Sequence, residues 1–129
     1  MTRLSDALSV LERLESGAAA RVQANLDAFS PDAAGLVLGY AFGDILSRPA
    51  IDLRTREMLT VAMLAAMGTA PAQLEFHIRA ALNTGVTGAE IVEIILQVSV
   101  YAGVPASMNA ISAAKAAFAR SGQGSSAPG

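Results

Sequence analysis

Apolar residues recur at helical spacing along almost the whole chain, and this pattern limits the folds open to it. Near the start, Leu4, Ala7, Leu8, Leu11 and Leu14 follow the 3.6-residue repeat that places them on one face of a helix. No segment shows the strict alternation of apolar and polar residues that indicates a half-buried strand. The sequence therefore predicts an all-α protein.

Capping residues and turn formers divide this pattern into separate helices. Ser30 is expected to cap a helix that begins at Pro31, and Asp52 is expected to cap the next helix along the chain. Thr87 and Glu90 fit the S/T-x-x-E capping box, in which each side chain binds the backbone N–H of the other residue.

The size and composition indicate one apolar domain that associates with further copies of itself. We predict a helical domain over residues 1–120 and a polar, flexible tail over residues 121–129. Hydrophobic residues make up 53% of the chain, above the roughly 45–50% of ordinary domains. The helices at 58–67 and 91–102 are apolar nearly all round, so we expect a homo-oligomer.

Charge and hydropathy argue against nucleic acid and membranes as partners. The net charge is −2, and no block of lysine or arginine is present. The first residues have no apolar core of the signal-peptide type. The longest apolar stretches fall well short of the about 20 residues that a membrane span needs. We expect a soluble, cytoplasmic protein.

The absence of cysteine excludes several kinds of chemistry. With no cysteine in the chain, disulfides, thiolate metal sites and cysteine nucleophiles are impossible. A single histidine argues against a histidine-rich zinc site, although the composition alone leaves a metal site built from carboxylates open. No glycine motif for a flavin, a nicotinamide or a phosphate group is present. We therefore expect no metal and no cofactor.

The one histidine, His77, lies at the border of a buried helical face. That face is defined by Leu74, Ile78, Ala81 and Leu82, and His77 lies about 70° from its centre. The position predicts a half-buried side chain. A hydrogen-bonded histidine at the edge of the core and a catalytic histidine are both compatible with it.

Glu57 is the more unusual polar residue, because it points into an apolar seam formed by Leu53, Val61 and Leu64. An unpaired carboxylate is costly to bury, so it needs a partner. A short turn near Thr69 favours an antiparallel hairpin of the two helices that carry Glu57 and His77. Glu57 lies twelve residues before Thr69 and His77 eight after it. The mismatch of four residues is about 6 Å, which long side chains can close, so we predict a Glu57–His77 pair.

Other polar residues are weaker candidates. Glu90, Glu93, Gln97 and Tyr101 form a stripe on one helix, for which a solvent-facing role and a role in a cleft both remain open. The arginines Arg48, Arg54, Arg56 and Arg79 are individually weak signals. Arg54 lies one turn before Glu57, so a simple ion pair along the helix is one alternative for it.

Four segments of the sequence resemble the carboxymuconolactone decarboxylase family. They are GYAFGDILSRP, IDLRTREMLTVAMLAAMG, HIRAALNTGVTGAEIVEIILQ and VYAGVPASMNAISAAKAAF, and the match covers roughly residues 30–120. The resemblance implies an alkylhydroperoxidase-D-like bundle of about six helices built around a helical hairpin. It also implies a ring-shaped homo-oligomer, trimeric or hexameric, with sites near the subunit interfaces.

The resemblance separates two chemistries within this family. In the thiol branch, two cysteines lie between a glutamate and a histidine that correspond to Glu57 and His77. Ala70 and Gln73 stand in the places of those cysteines, so thiol peroxidase activity is excluded. The segments RTR, HIRAAL and VYAGVPA are closest to the decarboxylase branch. Phe42 and Ala102 depart from its pattern, so the resemblance implies the reaction class rather than the particular substrate.

Decarboxylation of a lactone needs no cofactor if the ring accepts the electrons. It needs a cation to place the carboxylates, stabilisation of the dienolate and a proton donor. His77 is the expected general acid, and Glu57 is expected to orient it or hold it protonated. Arg48 and Arg54 are candidates for binding substrate carboxylates. The further substrate-binding candidates are Tyr40, Tyr101 and Glu93.

A lyase without a cofactor is therefore the leading hypothesis, acting on a small carboxylated lactone or a related cyclic carboxylate or ketone. The alternative is a non-enzymatic helical oligomer that binds a small apolar ligand or a partner protein. A buried Glu57–His77 pair favours the enzyme. The same two groups at the solvent rim would favour the binding protein.

Overall fold

A computed structural model describes residues 2–121, and this part of the chain is helical without any strand, which confirms the predicted fold class. Its elements are α1 (Arg3–Leu14), α2 (Ala18–Phe29), α3 (Ala33–Leu38), a π-helical segment (Gly39–Ile45), α4 (Leu53–Met67), α5 (Pro71–Asn83), α6 (Gly88–Ala102) and α7 (Val104–Arg120). The chain forms two compact units, one up to Leu53 and one from Arg54 onward. Apart from Ser121, the predicted tail lies outside the described residues.

The first unit is organised around α1. Thr2 and Ser5 cap this helix reciprocally, and its apolar stripe is buried. The π-helical segment packs against α1, where Arg3 forms an ion pair with Asp44 at 2.6 Å between Nη2 and Oδ2. Gly43 lies against the backbone carbonyl of Arg3, where any Cβ would overlap it. This close approach explains why a glycine occupies position 43.

The start of the third helix differs from the prediction. Ser30 ends α2, because its N–H donates to the carbonyl of Leu26, and α3 begins only at Ala33. The side chain that binds the first turn of α3 is Asp27, whose carboxylate accepts the N–H of Ala34 at 3.2 Å. The serine before a proline fits the pattern of a helix N-cap. Here Asp27, from the preceding helix, binds the first turn of α3 in its place.

The segment that follows α3 is wound as a π-helix, which the sequence pattern did not indicate. The N–H of Leu46 donates to the carbonyl of Ala41, five residues back, at 3.0 Å. Apolar spacing does not distinguish this winding from an α-helix over seven residues, because the two repeats differ by less than one residue per turn.

The second unit consists of most of α4 together with α5, α6 and α7. Gly68 and Gly103, with φ of 71° and 96°, provide left-handed turns after α4 and α6 that other residues rarely adopt. The predicted capping box at the start of α6 is confirmed, with Thr87 and Glu90 binding each other's backbone N–H groups. One core joins all four helices through Val61, Ala65, Leu74, Ile78, Ala81, Ile91, Ile95, Val98, Ala110, Ala114, Ala117 and Phe118.

Candidate active site

Glu57 lies inside the second unit, as its position on the helix predicted. On α4 it shares a face with Leu53 and Val61, both buried, and its own side chain is 0% exposed. The helix buries this face because its other members are apolar, and the carboxylate is carried inward with them. A carboxylate in such a place must be stabilised by a nearby partner.

His77 is that partner. Its Nδ1 lies 2.7 Å from Oε1 of Glu57, which confirms the predicted contact. Glu57 lies ten residues before Met67, at the end of α4, and His77 six after Pro71, at the start of α5. The remaining offset of four residues, about 6 Å along the helix axes, is spanned by the two side chains.

The histidine is more deeply buried than the sequence predicted. Its residue is 8% exposed, where a half-buried side chain was expected. The reason is that Ala80, on the opposite side of His77 from Ile78, is also fully buried. The buried arc of α5 therefore extends past His77 on both sides. Phe76 adds an edge-to-face contact with the imidazole ring, with centroids 5.0 Å apart.

One oxygen of Glu57, Oε2, is buried and makes no hydrogen bond to any of the described residues. An unfilled buried acceptor costs about 1–3 kcal/mol, so this pair is a poor way to stabilise a fold. Such a group calls for another explanation, and a role in chemistry is one that these residue types allow.

The geometry assigns different tasks to the two ring nitrogens of His77. Because Nδ1 contacts Glu57, proton exchange with a bound molecule would use Nε2. A proton on Nδ1 is donated to the carboxylate, and this contact fixes the orientation of the ring. The pair can therefore hold a proton on an oriented ring and release it, which is what general acid catalysis requires.

Arg54 contacts Glu90 rather than Glu57. Its Nη2 forms a short ion pair with Oε1 of Glu90, and its Nε donates to the carbonyl of Gly85 at 3.2 Å. The hydrogen bond from the backbone of Thr87 to the Glu90 carboxylate, followed by that from Arg54, lowers the pKa of Glu90 below its ordinary value. The capping box predicted the role of Glu90 at Thr87, but nothing in the sequence indicated the arginine.

The remaining candidates occupy exposed positions. On α6, Glu93 is exposed and Tyr101 is 86% exposed, so the stripe on this helix faces outward. Gln97 and Tyr101 border an apolar groove of about 410 Å³ between α4 and α6. Tyr40 and Arg48 belong to the first unit, Tyr40 on the π-helical segment and Arg48 at a cavity of about 460 Å³.

Two further properties of the described residues bear on function. No group of three or more histidine, aspartate or glutamate side chains among residues 2–121 is arranged to hold a metal ion. Within the same range, every helix is too short or too polar to cross a membrane.

The sequence is similar to those of several known proteins. A family model described as the carboxymuconolactone decarboxylase family matches residues 31–116. The 4-carboxymuconolactone decarboxylase of Acinetobacter baylyi is 40% identical over 94 residues, which are 73% of this chain and 69% of that protein. The nitrosuccinic acid decarboxylase of Metarhizium robertsii is 33% identical over 87 residues, or 67% of this chain and 60% of that protein.

An uncharacterised 15.0 kDa protein of Paracoccus denitrificans is 37% identical over 79 residues. That match covers 60% of this chain and 59% of that protein. The chain therefore spans about three fifths of the length of two of these three relatives.

Proposed function

Because the chain belongs to the carboxymuconolactone decarboxylase family, we propose that it is a carboxy-lyase that needs no cofactor. Its substrate class is a small carboxylated lactone, such as 4-carboxymuconolactone, or a related cyclic carboxylate. The single observation that carries the proposal is the buried Glu57–His77 contact at 2.7 Å. Two of the relatives named above are decarboxylases, which supports the same reaction class.

The reaction divides into bond cleavage and protonation. When the C–CO2 bond breaks, its electron pair stays on the substrate and is delocalised as a dienolate, while CO2 leaves as a neutral molecule. A proton from Nε2 of the His77 imidazolium then forms the new C–H bond, and the ring becomes neutral. Solvent returns the proton before the next cycle. The charge balances without an oxidant or a metal ion.

Glu57 makes His77 suitable for this step. A carboxylate at 2.7 Å from Nδ1 stabilises the imidazolium before the transfer and accepts the Nδ1–H of the neutral ring afterwards. Burial strengthens this interaction, because less water screens it. Glu57 therefore acts through His77 and need not touch the substrate.

A carboxylated substrate also needs a cation. Arg48 lines a cavity in the first unit, and its guanidinium offers the two-pronged geometry that binds carboxylates well. The guanidinium of Arg54 already donates to the Glu90 carboxylate, which a substrate carboxylate would have to displace in order to bind there.

The apolar groove between α4 and α6 favours one competing function. It is lined by Met58, Leu59, Ala62, Met63, Ala66, Ile94 and Val98, beside Gln97 and Tyr101, as expected of a protein that binds an apolar ligand without chemistry. The burial of Glu57 and His77 favours the enzyme. Burying two ionisable groups costs desolvation free energy, and binding of an apolar ligand does not require them.

The test is whether the purified protein releases CO2 from 4-carboxymuconolactone. The reaction is monitored by the loss of the lactone absorbance. The turnover rate is measured for the wild type, for the Glu57→Gln variant and for the Glu75→Gln variant. Glu75 is a matched control, because it also lies on the second unit and forms ion pairs, but with Arg79 and Arg120. Turnover that is absent in the wild type, or equal in all three proteins, would contradict the proposal.

We also propose that the protein is a homo-oligomer, either a trimer or a hexamer. Exposed apolar side chains follow one face of α4 at Leu59, Met63 and Met67, and a second group includes Leu96, Val100, Val104 and Met108. Apolar surface of this extent is unusual on a monomer. Light scattering at micromolar concentration should give at least three times the 13.2 kDa chain mass, and a stable monomer would contradict this.

A further inference from the structure

One side chain ties together three segments of the second unit. Arg54, at the start of α4, donates to the carbonyl of Gly85 at 3.2 Å, to the Glu90 carboxylate and, at 3.5 Å, to the sulfur of Met58. Gly85 follows α5, and Glu90 lies in the first turn of α6. The contacts therefore join the start of α4 to the turn between α5 and α6.

These contacts close the open end of a helical hairpin. The covalent connection between α4 and α5 is the turn at residues 68–70, which lies at the other end of both helices. Going back along α4 from Glu57 to Arg54, the contact partner moves forward from His77 to Gly85, so the two helices are antiparallel. The Glu57–His77 contact lies between the turn and the Arg54 contacts.

The Glu57–His77 contact depends on the position of α4 along α5. Arg54 precedes Glu57 by three residues, so a shift of the α4 start moves Glu57 by nearly the same amount. Oε2 of Glu57 has no partner among the described residues, so no second contact holds the carboxylate if α4 slides. A displacement of about 1 Å is enough to lower a catalytic rate greatly.

The charge of Arg54 is already paired with a carboxylate. Glu90 neutralises it, and the lowered pKa of Glu90 keeps that carboxylate ionised over a wider pH range. A substrate carboxylate would have to displace Glu90 to bind the same guanidinium. The contacts thus fit a role in positioning better than a role in substrate binding.

We propose that Arg54 is a positioning residue that holds α4 in register with α5, so that Glu57 remains in contact with His77. Its effect on turnover rests on the proposed lyase function, whereas its effect on the Glu57–His77 hydrogen bond does not. Glu90 and the Gly85 carbonyl are the anchors through which it acts.

The single histidine of the chain makes a direct test possible without a substrate. In protein labelled with ¹⁵N-histidine, all imidazole signals come from His77, and a hydrogen-bonded Nδ1–H should resonate far downfield and exchange slowly with water. The variants are Arg54→Met, which keeps the apolar stem, and Glu90→Gln. The control is Arg120→Met, which removes another arginine of this unit that pairs with a glutamate, here Glu75.

We expect Arg54→Met and Glu90→Gln to weaken or abolish the downfield Nδ1–H signal, while Arg120→Met retains it. In the activity assay, kcat should fall by about tenfold to a hundredfold with KM little changed. Combined with His77→Gln, Arg54→Met should cause little further loss, because the ring through which it acts is gone.

An unchanged Nδ1–H signal in folded Arg54→Met protein would overturn the proposal. So would a rise in KM at constant kcat, which would make Arg54 a substrate-binding residue. If Arg54→Met does not fold, Arg54→Lys and Glu90→Gln decide the matter by the same two readouts. If no lyase activity is found in the wild type, the NMR result alone still supports or overturns the positioning role.

Discussion

Two carboxylates of the second unit, Glu57 and Glu90, are bound in opposite ways. Glu57 is fully buried and contacts His77, and one of its oxygens has no hydrogen-bond partner within residues 2–121. Glu90 lies near the surface, and its Oε1 accepts from both Arg54 and the backbone of Thr87. The surface carboxylate accepts two hydrogen bonds at little desolvation cost, whereas burial of the interior one costs more free energy and leaves it only partly satisfied within the described residues.

The difference indicates two roles for similar chemistry. A well-satisfied exposed carboxylate that binds a helix start and an arginine contributes to structure. A buried carboxylate beside a lone histidine contributes little to stability, and under the proposed function it orients the ring that donates the proton. Substitution of Glu57 should therefore affect mainly activity, whereas substitution of Glu90 should change stability as well as the position of α4.

The largest effect is expected from His77→Gln. Glutamine is similar in size and keeps hydrogen bonding, but it does not carry a proton at neutral pH, so turnover should fall by about 10²-fold or more. The helical content by circular dichroism and the mass by light scattering should match the wild type. Wild-type turnover of the true substrate by this variant would make the histidine structural.

A smaller loss is expected from Glu57→Gln, because the ring and its proton remain but lose their charged partner. If the two residues act as a unit, the double variant with His77→Gln should be barely slower than His77→Gln alone. Steady-state kinetics of the two single variants and the double variant checks this. Losses that multiply in the double variant would show that Glu57 acts independently of His77.

Glu90→Gln should change the pH dependence of stability. The pKa of Glu90 is lowered in the folded protein, so its stabilising contribution is complete above the ordinary glutamate pKa and is lost as pH falls through the lowered value. Urea unfolding of wild type and variant should therefore differ most at about pH 6 and converge in strong acid. A difference that stays constant over this range would show that its source is not the ionised Glu90 carboxylate, which the Thr87 N–H and then Arg54 stabilise.

No effect is expected from thiol reagents or chelators. The chain has no cysteine, and the proposed reaction involves only the carboxylate and the imidazole at the buried pair. Turnover after exhaustive dialysis against EDTA should equal that before dialysis. A loss that one divalent ion restores would mean that a carboxylate at one of these sites binds metal.

Part of the candidate site could be predicted from the sequence. The seam-facing position of Glu57 follows from its apolar neighbours at i−4 and i+4, and the short turn at residues 68–70 brings α5 alongside. The contact with His77 could thus be predicted from spacing alone. The partner of Arg54 could not be predicted in this way. Glu90 is 36 residues away in the sequence, whereas Glu57, three residues along the same helix, looked like the nearer partner.

The sequence by itself determined the helical class, most helix boundaries, the capping box at Thr87 and the absence of thiol chemistry. These properties depend on residue identity and on contacts within about four residues, where the geometry of the helix is known in advance. Only the tertiary structure decided how deeply His77 is buried, that the segment after α3 is π-helical and that Arg54 binds Glu90. The depth of His77 and the Arg54–Glu90 contact depend on how separate helices pack, which a repeat along one helix does not specify. The π winding was missed because apolar spacing over seven residues does not distinguish it from an α-helix.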